Sequence, residues 1–175
     1  MKQKQWYQND DLFIRELREG HRWQLHVANR LGDVGLKCYV PQLEVRDDIS
    51  DAERFINSKD VVCMGAVLEI KSRRLSFRSP DTFPYSTVFV DTVSGWEAKD
   101  PKPYAYVCVS TISGAIIYTD GRSKDLWEAI NKRDRVRDIE ETFYSCPIEY
   151  WQPFESLVEE LNKLITCHSN EGEGV

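Results

Sequence analysis

Long apolar runs are absent from this chain. No stretch approaches the ~18–20 consecutive apolar residues of a membrane-spanning helix, so a helical membrane protein is excluded. The opening residues, Met1-Lys-Gln-Lys-Gln-Trp6, lack the apolar core of a secretory signal. Histidine is scarce: His21, His26 and His168 are the three present, and none has a partner at metal-ligand spacing. The five cysteines, at 38, 63, 108, 146 and 167, include no Cys-x-x-Cys. That argues against zinc ribbons and Cys-x-x-Cys redox motifs. Their scatter and odd number suit free thiols in a reducing, cytoplasmic compartment. No Gly-x-Ser-x-Gly and no Walker-type loop occurs. Basic excess is missing too. A net charge of −6 argues against broad, nonspecific coating of nucleic acid, although a local basic patch can coexist with an acidic total.

Core-forming residues are plentiful. Forty-one per cent of the 175 residues are hydrophobic and 11% aromatic, which suits one domain. That domain is expected over 1–168, with a disordered tail over 169–175. Leu12-Phe13-Ile14 reads as a short strand or irregular helix. Trp23, Val27, Ala28, Leu31 and Val34 form one helical stripe over Gly20–Val34, closed by Gly35 as a C-cap. Leu36–Val40 is a strand ended by Pro41. Residues 42–59 are charged and read as a loop with a helical turn, or as a flap. Strands follow at Thr87–Thr92, Tyr104–Ser110 and Ala115–Tyr118, with loops around Ser94-Gly95-Trp96 and Asp100-Pro101. The remainder is expected to be mainly helical, most clearly at Asp125–Asn131 and Pro153–Thr166. The pattern predicts an α/β (α+β) fold, a sheet with helices on both sides.

The most informative segment is Asp60-Val-Val-Cys-Met-Gly-Ala-Val-Leu-Glu69-Ile-Lys71. Gly65-Ala66 between two apolar runs suits a type II′ hairpin turn. If Met64 pairs with Val67, Val62 stands opposite Glu69 and Asp60 opposite Lys71. Alternation then puts Asp60, Glu69 and Lys71 on one face and Val61, Cys63, Leu68 and Ile70 on the other. Diagonal cross-strand neighbours have Cα atoms roughly 7–8 Å apart, so one cation could bridge Asp60 and Glu69. Hard cations such as Mg²⁺ or Mn²⁺ take oxygen ligands and keep several waters. They acidify a bound water and screen developing charge. A lysine beside them can orient a nucleophile or a phosphate. This is chemistry suited to phosphodiester hydrolysis. A solvent-facing Glu69–Lys71 pair is the plain alternative. A second Glu-x-Lys triplet, Glu97-Ala98-Lys99, lies in an expected loop rather than a strand.

The segment Gly20-His-Arg-Trp-Gln24-Leu-His-Val27-Ala28-Asn-Arg-Leu31-Gly-Asp-Val-Gly35, followed by Lys59-Asp60 and Leu68-Glu69-Ile70-Lys71, resembles the PD-(D/E)xK nuclease superfamily over residues 20–71. The resemblance implies a restriction-endonuclease-like α-β-β-β-α-β core with a mixed central sheet. It implies a Mg²⁺- or Mn²⁺-dependent deoxyribonuclease, in the manner of small phage or bacterial enzymes that process DNA. Asp60, Glu69 and the backbone carbonyl of Ile70 would hold metal, Lys71 would position water and phosphate, and Gln24 would assist. The chain departs from the family at two positions. Gln24 stands where members often carry glutamate, and Lys59 where they carry proline. The glutamine keeps open a nuclease-fold protein that binds nucleic acid or protein without cutting. An unrelated α/β scaffold is a third reading.

Arg73 and Arg74 directly follow the site and are candidates for the DNA backbone. Lys99 and Lys102 read as surface lysines. The densest basic cluster, Lys132 to Arg137, is diluted by acidic neighbours and reads as a salt-bridged helix. Trp96 and Trp127 read as packing residues rather than base-stacking platforms. A homodimer would let two active sites cut two strands, but nothing in the sequence demands one.

Overall fold

The computed structural model describes residues 11–45, 58–134 and 139–170. It is a mixed α+β fold built on two sheets. Helix α1 (Asp11–Asp33) leads to β1 (Cys38–Tyr39), then to β2 (Val61–Cys63) and β3 (Ala66–Arg73). β4 (Thr87–Thr92), the short helix α2 (Val93–Ala98), β5 (Ala105–Ser110) and β6 (Ile116–Asp120) follow. β7 (Glu128–Asp134), β8 (Ile139–Pro147), β9 (Gln152–Pro153) and α3 (Phe154–Asn170) complete the chain. The six-stranded sheet has the order β1-β2-β3-β5-β6-β9, and the three-stranded sheet the order β4-β8-β7. Among the described residues all pairings are antiparallel except β3 with β5, which is parallel and sets Glu69 beside Tyr106.

Two cores sandwich the large sheet. Alternation along β3 sends Leu68 and Ile70 to one face, where they pack with Val27 and Leu31 of α1 and Leu157 and Leu161 of α3. The other face, through Tyr106, Cys108 and Ile117, packs on Val88 and Val90 of β4 and Tyr144 and Cys146 of β8. The two long helices α1 and α3 therefore lie on one face, and the short helix α2 packs with the small sheet on the other. The expected second helical layer is replaced by the small sheet, because residues 128–134 pair with β8 instead of coiling. Trp127 is buried in the second core at the start of β7, and that tertiary anchor overrides local helix propensity.

Other elements differ in detail. Leu12-Phe13-Ile14 opens α1, which is one continuous helix. Gly35 caps it as expected: its φ is +88°, and the Leu36 amide reaches back to the Leu31 carbonyl at 3.1 Å. Val34 lies beyond the helix and is half exposed rather than on its apolar stripe. The Ser94-Gly95-Trp96 region is the helix α2, not a loop. The helix α3 runs to Asn170, into the expected tail. Residues 171–175, most of the 42–59 segment, and Arg135 and Arg137 of the basic cluster lie outside the described residues. Among the described residues, no helix is long and apolar enough to cross a membrane.

Candidate active site

The β2–β3 hairpin turns on Met64 and Gly65, with φ of +50° and +85°. Two positive φ values define a type I′ turn, whose twist matches the flanking strands. The expected II′ turn at Gly65-Ala66 is therefore corrected by one position. Cys63 pairs with Ala66, Val62 with Val67 and Val61 with Leu68. Continuing that register sets Asp60 opposite Glu69 instead of Lys71. The partner shifts by two residues along β3, so the facing of each side chain is preserved.

Asp60 stands just before β2, where the edge of β3 loses its partner strand. Its Oδ2 accepts the Ile70 amide at 2.7 Å, and its Oδ1 accepts Gln24 Nε2 at 2.8 Å. Gln24 Oε1 in turn accepts from His21 Nδ1 at 3.0 Å. The helix glutamine thus orients the strand-end carboxylate, and His21 orients the glutamine. In a strand, the N–H and C=O of one residue point to the same side. The Ile70 carbonyl is therefore directed toward the Asp60 side of β3, away from β5. Burial, reinforced by the Glu69 charge and opposed by Lys71, raises the Asp60 carboxyl to about 7.

Glu69 and Lys71 face the small sheet, which contributes a partner that the sequence reading missed. Asp91 is the next-to-last residue of β4. Val88 and Val90 both pack inward, so unbroken alternation would turn Asp91 outward. A β-bulge between Phe89 and Asp91 inserts an extra residue and turns it back. Asp91 then meets Lys71 at 3.4 Å, Lys99 at 2.7 Å and the Tyr106 hydroxyl at 2.9 Å. Both lysines also approach Glu69 Oε1, Lys71 at 2.8 Å and Lys99 at 3.5 Å. Glu69, Lys71, Asp91 and Lys99 close a ring of alternating charge, with Asp60 beside it.

Lys99 is no surface lysine: its side chain is only 14% exposed. It follows α2, a helix fixed at both ends. Thr92 Oγ1 accepts the Gly95 amide at 2.9 Å as an N-cap. Lys102 donates to the carbonyls of Trp96, Glu97 and Lys99 at 2.7, 2.9 and 2.6 Å. The rival Glu97-Ala98-Lys99 triplet thus supplies its lysine to the site, while Glu97 receives the Tyr144 hydroxyl elsewhere. Signals for Asp91 were present: a lone acid closing the apolar run Val88-Phe89-Val90, then a capping threonine.

Burial on its own would lower the Lys71 ammonium, but Glu69 and Asp91 more than offset it and hold it above its ordinary value. Burial likewise opposes the charge on Asp91, and Lys71 and Lys99 overcome it, holding that carboxyl below its ordinary range. A cavity of about 290 Å³ opens beside the ring, lined by Lys59, Val67, Glu69, Lys99, Pro101 and Pro103 among others.

Arg73 and Arg74 do not join the cluster. Arg73 donates to the carbonyls of Phe89 at 3.3 Å and Ser72 at 3.5 Å, bridging the sheets, and Arg74 is exposed. Lys132 lies over the Phe89 ring at 4.6 Å, on a strand rather than a helix. Trp96 and Trp127 pack edge to face within the second core, as packing residues. Among the described residues, no group of three or more His, Cys, Asp or Glu side chains is arranged to hold a metal. Among the described residues, the oxygen donors at the open edge of β3 include the Asp60 and Glu69 carboxylates and the Ile70 carbonyl. Mg²⁺ takes one or two carboxylates and keeps waters, so these donors fit it in kind. Among known proteins, no family model and no curated protein matches the chain.

Proposed function

We propose that this cluster is the catalytic centre of a metal-dependent nuclease that hydrolyses DNA phosphodiester bonds, of the PD-(D/E)xK kind that the sequence resembles. The observation that carries it is the convergence of Gln24, Asp60, Glu69 and Lys71 at the open edge of β3. Those residues come from a helix, a strand end and a neighbouring strand. Gathering three carboxylates and two ammoniums in a partly dry cleft costs desolvation that their pairing must offset, and a catalytic role gives a reason to hold them there. The element order also supports the reading. A helix, three antiparallel strands, a crossover and a strand parallel to β3 follow the implied order, with β4 inserted before α2.

Asp60, Glu69 and the Ile70 carbonyl would hold Mg²⁺ or Mn²⁺, which when bound supplies an acidified water and screens the phosphate charge. Gln24 and the Ile70 amide orient the Asp60 carboxylate. Lys71 stays protonated and neutralises the scissile phosphate. Lys99 is a second cation at the cavity wall, and Asp91 with Tyr106 fixes where both lysines stand. Lys59, which also lines the cavity, would meet the DNA backbone. We place this activity in the cytoplasm of a bacterial or phage-infected cell.

A second reading has its own support. Both Asp60 oxygens already accept hydrogen bonds, and Glu69 Oε1 takes both lysines. A closed network of this kind suits a nuclease-fold protein that binds nucleic acid or protein without cutting. Incubation with linear, nicked and branched DNA in Mg²⁺ or Mn²⁺ separates the two. The nuclease reading expects metal-dependent cleavage that Lys71→Ala abolishes. Intact DNA on every substrate, or cleavage indifferent to Lys71→Ala, sinks it.

A further inference from the structure

Cys38 and Cys63 face each other at the edge of the large sheet. Among the described residues, β1 is the edge strand and pairs only with β2, and these two residues are directly opposite. The Met64 amide donates to the Lys37 carbonyl at 3.1 Å. A bond between the residues flanking the pair marks it as non-hydrogen-bonded. Such pairs have Cα atoms about 4.5 Å apart and the closest side chains in a sheet. A disulfide needs a Cα separation of roughly 4.4–6.8 Å, so the backbone already meets the requirement. Both side chains point toward α1: Cys63 is buried in the first core and Cys38 packs against it. Cys38 is partly exposed at the sheet edge, within reach of a small oxidant. Hydrogen bonding between the two thiols lowers Cys38 and raises Cys63, which makes Cys38 the first nucleophile.

We propose that Cys38 and Cys63 are an oxidisable pair that forms a reversible cross-strand disulfide with a low-molecular-weight disulfide such as glutathione disulfide as the oxidant. The Cys38 thiolate attacks one sulfur of the glutathione disulfide, forming a mixed disulfide and expelling one glutathione thiolate. Cys63 then loses its proton and attacks Cys38 Sγ, expelling the second. The protein thiols lose two electrons, which reduce one glutathione disulfide to two glutathione thiols, and the two thiol protons pass to them. Cys108 and Cys146 are fully buried in the second core and have no such route. The bond ties edge strand β1 to β2, the strand that follows Asp60. The proposal is independent of any catalytic role for the site.

The test uses the full chain carrying Cys167→Ser, so that the fifth cysteine cannot contribute. The folded protein is incubated with glutathione disulfide, alkylated, digested and mapped by mass spectrometry. The expected result is loss of two hydrogens from the intact mass and a linked pair of peptides containing Cys38 and Cys63. Dithiothreitol reverses both, and the oxidised form melts about 7–14 °C higher, as closing a loop of this length predicts. Glutathione retained on Cys38 without a cross-link overturns the proposal. So does a linkage to any other cysteine, or an intramolecular mass loss that persists in Cys38→Ser.

Discussion

Lys99 Nζ stands 2.7 Å from Asp91 Oδ2, a lysine after a short helix paired with the aspartate before it. The contact folds the crossover between β4 and β5 back on itself. It also brings a second cation to Glu69, on the neighbouring sheet. The candidate site is therefore assembled from both sheets, and the hairpin alone is half of it.

One consequence concerns Lys99 itself. If it screens phosphate charge beside Lys71, Lys99→Met lowers single-turnover cleavage on the order of 10²-fold, the range for losing one transition-state charge contact. The melting temperature changes far less. Rates from quenched time courses in saturating Mg²⁺ check this, and an unchanged rate removes Lys99 from the active site.

Asp60 gives a pH-dependent stability with a definite sign. Its carboxyl is raised from an unfolded value of about 3.9 to about 7. Between those values the folded state binds more protons, so this group's stabilising contribution is full below pH ~4 and is lost as pH rises through about 7. Asp60→Asn removes that loss. Between pH 4 and pH 8 the parent is expected to lose on the order of a few kcal/mol that the variant does not lose, whatever the lost hydrogen bond costs the variant at both values. Urea titrations at both values measure it in metal-free buffer, and a variant that loses as much stability as the parent between them contradicts it. Asp91 acts in the opposite sense. Its lowered carboxyl contributes stability above the unfolded value that is lost as pH falls through the folded one.

The helix α2 offers a structural check. A Cβ on Gly95 would lie 2.6 Å from Thr92 Oγ1 and 3.2 Å from Asp91 Oδ1. Gly95→Ala is expected to drive Thr92 off its capping position and to disturb the Asp91 carboxylate. Thr92→Val removes the cap without adding bulk there and costs about 1 kcal/mol. Chemical denaturation should find Gly95→Ala the more damaging of the two. Equal losses would place the effect in the cap alone.

Much of the large sheet was legible because its strands obey simple patterns. The run Ala105 to Ser110 is buried throughout and reads as an apolar strand. The Asp60, Glu69 and Lys71 grouping was legible because a two-residue slip preserves strand facing. The identity of the turn was not, since Met64 at positive φ is a choice that only strand twist decides. In the small sheet β4 was legible, but β7 and β8 were hidden for a different reason. Residues 128–134 carry charged and polar side chains, and their strand state comes from pairing with β8 and from Trp127 rather than from periodicity. Asp91 and Lys99 escaped because a bulge and a capped helix, both long-range in effect, aim them.

The most direct test of the site is a Mn²⁺-soaked crystal examined by anomalous scattering. The account predicts a peak bounded by the Asp60 and Glu69 carboxylates and the Ile70 carbonyl, with Lys71 drawn off Glu69, and no peak in Glu69→Gln. An undisturbed ring with no ion beside Asp60 at millimolar Mn²⁺, or the same peak in Glu69→Gln, would contradict it.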